Sequence, residues 1–246
     1  MSANNNKRPD LRINGSGSAS GGAYDSVRIN GSGRISGDVD CNEFVVHGSG
    51  EASGKVESKT FKINGSGHVV GELKTNELKV NGSATFHSAV KGGNVTVSGS
   101  ADLRESLNAS TVRVTGSIKV EGGCSAEEFE AQGIFEIGGL LTADTVDVRL
   151  YWHKSQAREI GGGKITVGVG KSGLGVLASI FSLGTHYPSL EAETIEGDEI
   201  TLENTTAKVV RGNNVTIGNG CDIGLVEYTG AYRETGGAKV AEHRKI

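Results

Sequence analysis

VRINGSGR at residues 27–34, FVVHGSGE at 44–51, FKINGSGH at 61–68 and LKVNGSAT at 78–85 are versions of one phrase, each starting 17 residues after the last. Outward from these, rows begin at Val27, Phe44, Phe61, Leu78, Val95, Val112, Phe129 and Val146 without a slip. An earlier row begins at Leu11, one residue short of register. A fixed period over eight rows, with a ninth one residue short, is the signature of a repeat architecture, in which each unit buries its apolar face against its neighbours.

The columns say what each position does. The first (Leu11, Val27, Phe44, Phe61, Leu78) and third (Ile13, Ile29, Val46, Ile63, Val80) are apolar, and the second is mostly charged (Arg12, Arg28, Lys62, Lys79). This alternation is the strand period of two, with one face inside. The ninth column (Ile35, Ala52, Val69, Phe86, Leu103) and the thirteenth (Val39, Val56, Leu73, Val90, Leu107) are apolar as well, giving three inward-facing segments per row. Glycine fills the fifth column from Gly15 to Gly133, where a corner favours a residue able to reach positive φ. Asn14, Asn30, Asn64 and Asn81 precede it, and amides stacked at strand spacing can hydrogen-bond along the column. The expected fold is all-β, a parallel β-helix (β-solenoid) of nine to ten 17-residue coils plus a shorter second β block. An antiparallel stack of hairpins would need turn signals at alternate ends. Seventeen does not divide into hexapeptides, which points away from the left-handed hexapeptide helix and makes right-handed coiling the expectation.

Composition agrees. The 246 residues hold 39 glycines and only two prolines, a balance suited to tight turns within a hydrogen-bonded sheet. A net charge of -4 offers no basic footprint for nucleic acid. Cys41, Cys124 and Cys221 have no metal-ligand spacing and form no even framework, which fits a reducing cytoplasm. The first residues lack the apolar core of a signal peptide, and Leu174–Leu183, the longest apolar stretch, is about half a membrane span.

After Val146 the pattern weakens. A tenth row survives as Lys164–Val167, residues 168–190 break the repeat, and strand-like residues resume from Glu191, with Ile200 to Ile217 and Val209 to Val226 again 17 apart. The expected organisation is a disordered tail over 1–10, a solenoid over 11–167, a linker with an apolar segment over 168–190, a second short solenoid over 191–235, either stacked on the first or folded against it, and a tail over 236–246. The apolar segment, as a helix, would have to bury itself against the solenoid end, another subunit or a membrane surface.

Few residues invite chemistry. Gly168–Gly173 satisfies G-x-G-x-x-G, but glycine-rich chains match it by chance and no alternating strand–helix units surround it. His68 and His87 lie in neighbouring rows at polar positions, and two imidazoles fall short of a full metal site. Carboxylates show no repeated pair that would suggest glycoside cleavage. No catalytic residue, cofactor or metal is expected.

The coils RINGSG at 28–33, KINGSG at 62–67 and KVNGSA at 79–84 resemble those of the bactofilins, polymer-forming bacterial cytoskeletal proteins. The later stretch through Ile195–Ile200, Lys208–Val215 and Ile217–Tyr228 is similar to longer members from Gram-positive bacteria, so the resemblance spans residues 11–230. It implies a right-handed triangular β-helix that polymerises end to end without nucleotide, often at the membrane. This chain has more coils than the compact core of that family, and residues 1–10 lack the short apolar element linked to membrane attachment there.

Terminal coils expose unpaired strand edges that template further pairing. The expected function is therefore a self-assembling cytoplasmic scaffold, not an enzyme, with copies of itself and paralogous polymer-forming subunits as partners. The expected assembly residues are Leu11, Ile13, Val27 and Ile29 at the N-terminal end, and Leu177, Ile180 and Phe181 in the apolar segment. The competing readings are a non-polymerising adaptor and a carbohydrate-acting β-helix enzyme.

Overall fold

The computed structural model describes residues 8–151, 153–170 and 188–246, and no helix occurs among them. The chain divides into two compact units, Met1–Ser110 and Thr111–Ile246.

The first unit opens with strand Leu11–Ile13, followed by two long strands, Ser16–Ile29 and Ser32–Val46. Four-residue strands (Ser49–Ala52, Ser66–Val69, Ser83–Phe86, Ser100–Leu103) then alternate with eight-residue ones (Val56–Ile63, Leu73–Val80, Val90–Val97). The pairing is parallel, and Phe44, Phe61, Leu78 and Val95 stand one above the next. Leu11 pairs with Val27 across 16 residues. The missing residue is recovered at an irregularity between Ser20 and Gly22, after which Gly22 pairs with Val39.

Three inward walls are present. In Val56–Ile63 the buried residues are Val56, Ser58, Phe61 and Ile63, so the inward phase shifts at Lys59–Thr60 and one strand lines two walls. The short strand Ser66–Val69 supplies the third with Gly67 and Val69. The Phe44 and Phe61 rings stack with centroids 4.6 Å apart, close to the strand spacing itself. Two inward columns are made of small residues. One runs Gly33, Gly50, Gly67, Ala84, Ala101, and the other runs Cys41, Ser58, Thr75, all buried. Ser58 donates to Thr75 Oγ1 at 3.1 Å, and Thr75 to the Glu77 carbonyl at 3.1 Å, which satisfies these buried hydroxyls.

The corner glycines are needed for a reason other than positive φ. Positive φ among the described glycines occurs at Gly22, Gly37, Gly220 and Gly236, none of them in the corner column. A Cβ on Gly48 would lie 2.1 Å from the Gly31 carbonyl oxygen, and one on Gly65 would lie 2.1 Å from that of Gly48. Successive coils approach too closely for any side chain. The amide column forms as expected, with Asn30 donating to Asn14 and Asn81 to Asn64, each at 2.8 Å.

In the second unit Phe129, Val146, Ile165, Ile200, Val215 and Tyr232 share one column. The steps along it vary because insertions and deletions fall at corners while the walls keep register. Ile165 pairs directly with Ile200, so the residues from Glu191 onward stack on this ladder. Ile200 pairs with Val215 and Val209 with Leu225, so the intervals of 17 seen in the sequence there do not mark stacked residues. Of residues 168–190, Gly168 and Val169 finish strand Lys154–Val169, and Ser189 and Leu190 start Ser189–Leu202.

Of the expected tails, residues 1–7 lie outside the described residues, and Lys239–Lys245 forms a strand. Strand Lys239–Lys245 pairs in parallel with Asp222–Glu234, and its polar side chains are no obstacle because they face solvent. At the other end Arg8 donates to both carboxylate oxygens of Asp40 at 2.9 and 2.8 Å, Asp25 N donates to Pro9 O at 2.9 Å, and Ser26 donates to Asp10 at 2.7 Å.

Candidate functional site

The first coil presents a strand edge. Among the described residues, strand Leu11–Ile13 pairs only with Ser16–Ile29. Of the residues expected there, Val27 and Ile29 are fully buried beneath the first coil. Ile13 is nine-tenths buried already, and Leu11 is half-buried. Leu11 is therefore the expected residue with most apolar surface left for a partner. Gly15 shares this edge, and a Cβ there would meet nothing within 4 Å, unlike its counterparts on later coils. A polar clasp borders it. Arg8 holds the Asp40 carboxyl below its ordinary range through their hydrogen bonds, and Ser26 does the same for Asp10.

The last coil is built differently. Where earlier coils place Val226, Val215 and Ile217, the final one places His243, Tyr232 and Glu234. Tyr232 and His243 stack with centroids 4.7 Å apart, Tyr228 lies 5.4 Å from Tyr232, and Tyr232 donates to Glu234 at 2.8 Å. Burial and the Glu234 carboxylate push the Tyr232 phenol well above its ordinary range. Glu227 is buried and takes hydrogen bonds from Arg211 at 2.5 Å and from Arg244 Nε at 3.0 Å. Arg211 first, then Arg244, holds its carboxyl below the usual value. Strand Lys239–Lys245 is charged along its length, a common way of blunting an edge. Sequence reasoning missed this cap, although the change of the inward columns to Tyr, Glu and His was the available signal.

The outward faces are laced with ion pairs between coils, such as Arg34–Glu51 at 2.8 Å and Lys74–Glu57 at 2.9 Å. In the second unit a groove of about 680 Å³ is lined by Gln156, Glu191, Glu193, Lys208 and Asp222. Lys208, 2.8 Å away, lowers the Glu193 carboxyl, the opposite of what a general acid for glycoside cleavage requires. Gly168–Gly170, the described part of the glycine motif, is engaged by the protein itself: Val169 N donates to Glu203 at 3.0 Å and Gly170 N to Leu150 O at 2.8 Å. Among the described residues no three His, Cys, Asp or Glu gather where they could hold a metal, and no helix is long and apolar enough to cross a membrane. Leu177, Ile180 and Phe181 lie outside the described residues.

Comparison with known proteins places the N-terminal coils in context. Residues 4–91 match the model of the bactofilin family, described as polymer-forming cytoskeletal. The chain is 44% identical over 110 residues to the uncharacterised protein YhbE of Bacillus subtilis (strain 168), covering 45% of this chain and 44% of that protein. It is 44% identical over 90 residues to the uncharacterised YhbF of the same organism, covering 37% of this chain and 34% of YhbF. The matched stretch thus spans less than half the length of either relative. No solved structure matches the chain.

Proposed function

We propose that this chain, with its bactofilin-like N-terminal coils, is a structural cytoskeletal scaffold that self-assembles through coil ends, without nucleotide. The observation that carries the reading is the strand Leu11–Ile13, which has one paired edge among the described residues and belongs to the segment that matches a polymer-forming family. An incomplete sheet edge lowers its free energy by acquiring another strand. The partner is a second copy, and paralogous polymer-forming subunits with the same coil geometry are the next candidates. The setting is the cytoplasm, with membrane association a further possibility that the family resemblance raises.

A second reading, a non-polymerising adaptor, draws support from the charged last strand Lys239–Lys245, which blunts its own edge. Sedimentation and electron microscopy of the purified protein at micromolar concentration separate the two. Scaffold function predicts filaments or large assemblies that are indifferent to ATP, GTP or EDTA, and Leu11→Lys predicts a folded protein that no longer pellets, because docking would bury an unpaired ammonium. A monomer at all concentrations favours the adaptor, and a nucleotide requirement defeats the mechanism proposed.

A further inference from the structure

On the outward side of the first unit, His68 and His87 stand on successive coils with their Nε2 atoms 2.7 Å apart. Their ring centroids are 4.4 Å apart, with the planes inclined at 59°. His68 sits in strand Ser66–Val69 in register with Thr85, so His87, two residues further on, is its diagonal neighbour on the same face. Gly67, Val69 and Phe86 point into the core beside them, and His87 N donates to Val69 O at 2.9 Å. The backbone under both imidazoles is thus fixed by packing and by the ladder. Both side chains are exposed.

A hydrogen bond between neutral rings accounts for the contact as it stands, one nitrogen donating and the other accepting. The same placement nearly meets the needs of a chelate. A dication with metal–nitrogen bonds of about 2.0–2.1 Å holds two neighbouring nitrogens roughly 2.9–3.3 Å apart. Opening the pair by a few tenths of an ångström, through small ring rotations, makes room for the ion. We propose that His68 and His87 form a two-imidazole chelate for a divalent transition cation of the Zn²⁺, Ni²⁺ or Cu²⁺ class, with water filling the remaining positions. Imidazole suits these ions, whereas Mg²⁺ and Ca²⁺ demand oxygen ligands. With two protein ligands the site is open and its binding reversible. The chelate links the coil that starts at Phe61 to the one that starts at Leu78, so occupancy stabilises the first unit.

Calorimetric titration of the full chain, carrying no histidine tag, with Ni²⁺, Zn²⁺ and Mg²⁺ tests this. Wild-type protein is expected to bind one equivalent of Ni²⁺ or Zn²⁺ in the micromolar range and no Mg²⁺. His68→Ala and His87→Ala are each expected to weaken binding by at least about tenfold, since one exposed ring remains. Ni²⁺ should raise the melting temperature of wild type by more than that of either variant at the same concentration, because a ligand that binds the folded state stabilises it more the tighter it binds. Unchanged affinity in the double variant would assign the metal to other histidines and overturn the proposal. No uptake by wild type below about 1 mM would overturn it equally.

Discussion

Replacing Gly65 with alanine tests why glycine occupies the corner column. Its new Cβ would lie 2.1 Å from the Gly48 oxygen, where real contacts stay above 3.0 Å. The two coils must therefore part locally by about 0.9 Å. The groups that hold them together at that point are Ser66 N to Gly48 O at 2.8 Å and Gly65 N to Val46 O at 3.3 Å. Weakening or breaking both costs about 2–4 kcal/mol, as each leaves a partly buried polar group short of a partner. For a chain of this size that lowers the melting temperature by roughly 4–16 °C. Gly15→Ala is the matched control: same column, same neighbours in sequence, nothing within 4 Å of the added carbon. It should change stability by less than about 0.5 kcal/mol. Thermal denaturation followed by circular dichroism reads both. Equal shifts for the two variants, or none for Gly65→Ala, would show that the stacked carbonyl is not what excludes side chains. The same control bears on assembly. If a second copy adds a coil against Leu11–Ile13, it brings a carbonyl to Gly15, and Gly15→Ala should fold normally yet fail to pellet.

Val80→Asp places a charge at a fully buried position and should cost several kcal/mol, whereas Lys79→Ala, half-exposed and paired with Glu77, should cost under about 0.5 kcal/mol; similar melting shifts would mean the inward face is misassigned. The Glu227 carboxyl is lowered by Arg211 and Arg244, so its contribution to stability is complete above the unfolded carboxyl value of about 4.3 and is lost as pH falls through the lower folded value. Glu227→Gln should accordingly raise amide exchange in Lys239–Lys245 at pH 7 while leaving Thr205–Ile217 unchanged, and wild type, corrected for intrinsic rates, should do the same only in acid; uniform loosening of both strands would show that Arg244 does not hold the last strand.

The walls of the solenoid were legible in the sequence because large apolar residues mark them. Phe44, Phe61, Leu78 and Val95 announce one inward column whatever their exact packing, and the structure stacks them as spaced. Small inward residues gave no such mark. Gly33, Gly50 and Gly67 look like turn residues, yet they line a wall where the Ile29, Val46 and Ile63 side chains, respectively, leave no space for a Cβ. Ser58 and Thr75 read as outward polar positions, but their hydroxyls satisfy each other and the backbone inside. Beyond Val146 the fixed interval itself became the obstacle. A search for 17 finds Ile200 with Ile217, whereas the chain pairs Ile200 with Val215, since parallel pairing constrains the walls and lets the corners gain or lose residues.

The ends of the repeat were the hardest part to read, and they matter most for the proposed assembly. A repeat array stays soluble when its terminal units turn a polar face outward. The last coil does this by putting His243, Tyr232 and Glu234 where the coil before carries Val226, Val215 and Ile217, with Glu227 clamped between two arginines. The first coil keeps aliphatic residues in its columns, Leu11 above Val27 and Ile13 above Ile29, and among the described residues the polar Arg8, on Asp40, and Asp10, on Ser26, sit beside the edge. A polar rim around an aliphatic strand edge is the arrangement of an interface, since the rim fixes register while the edge supplies unpaired backbone groups. That contrast between the two terminal coils is what supports the proposal that docking occurs at Leu11–Ile13. It also explains why Leu11→Lys, at a half-buried position, is a cleaner probe than the same change at Ile13, which is already packed within the single chain.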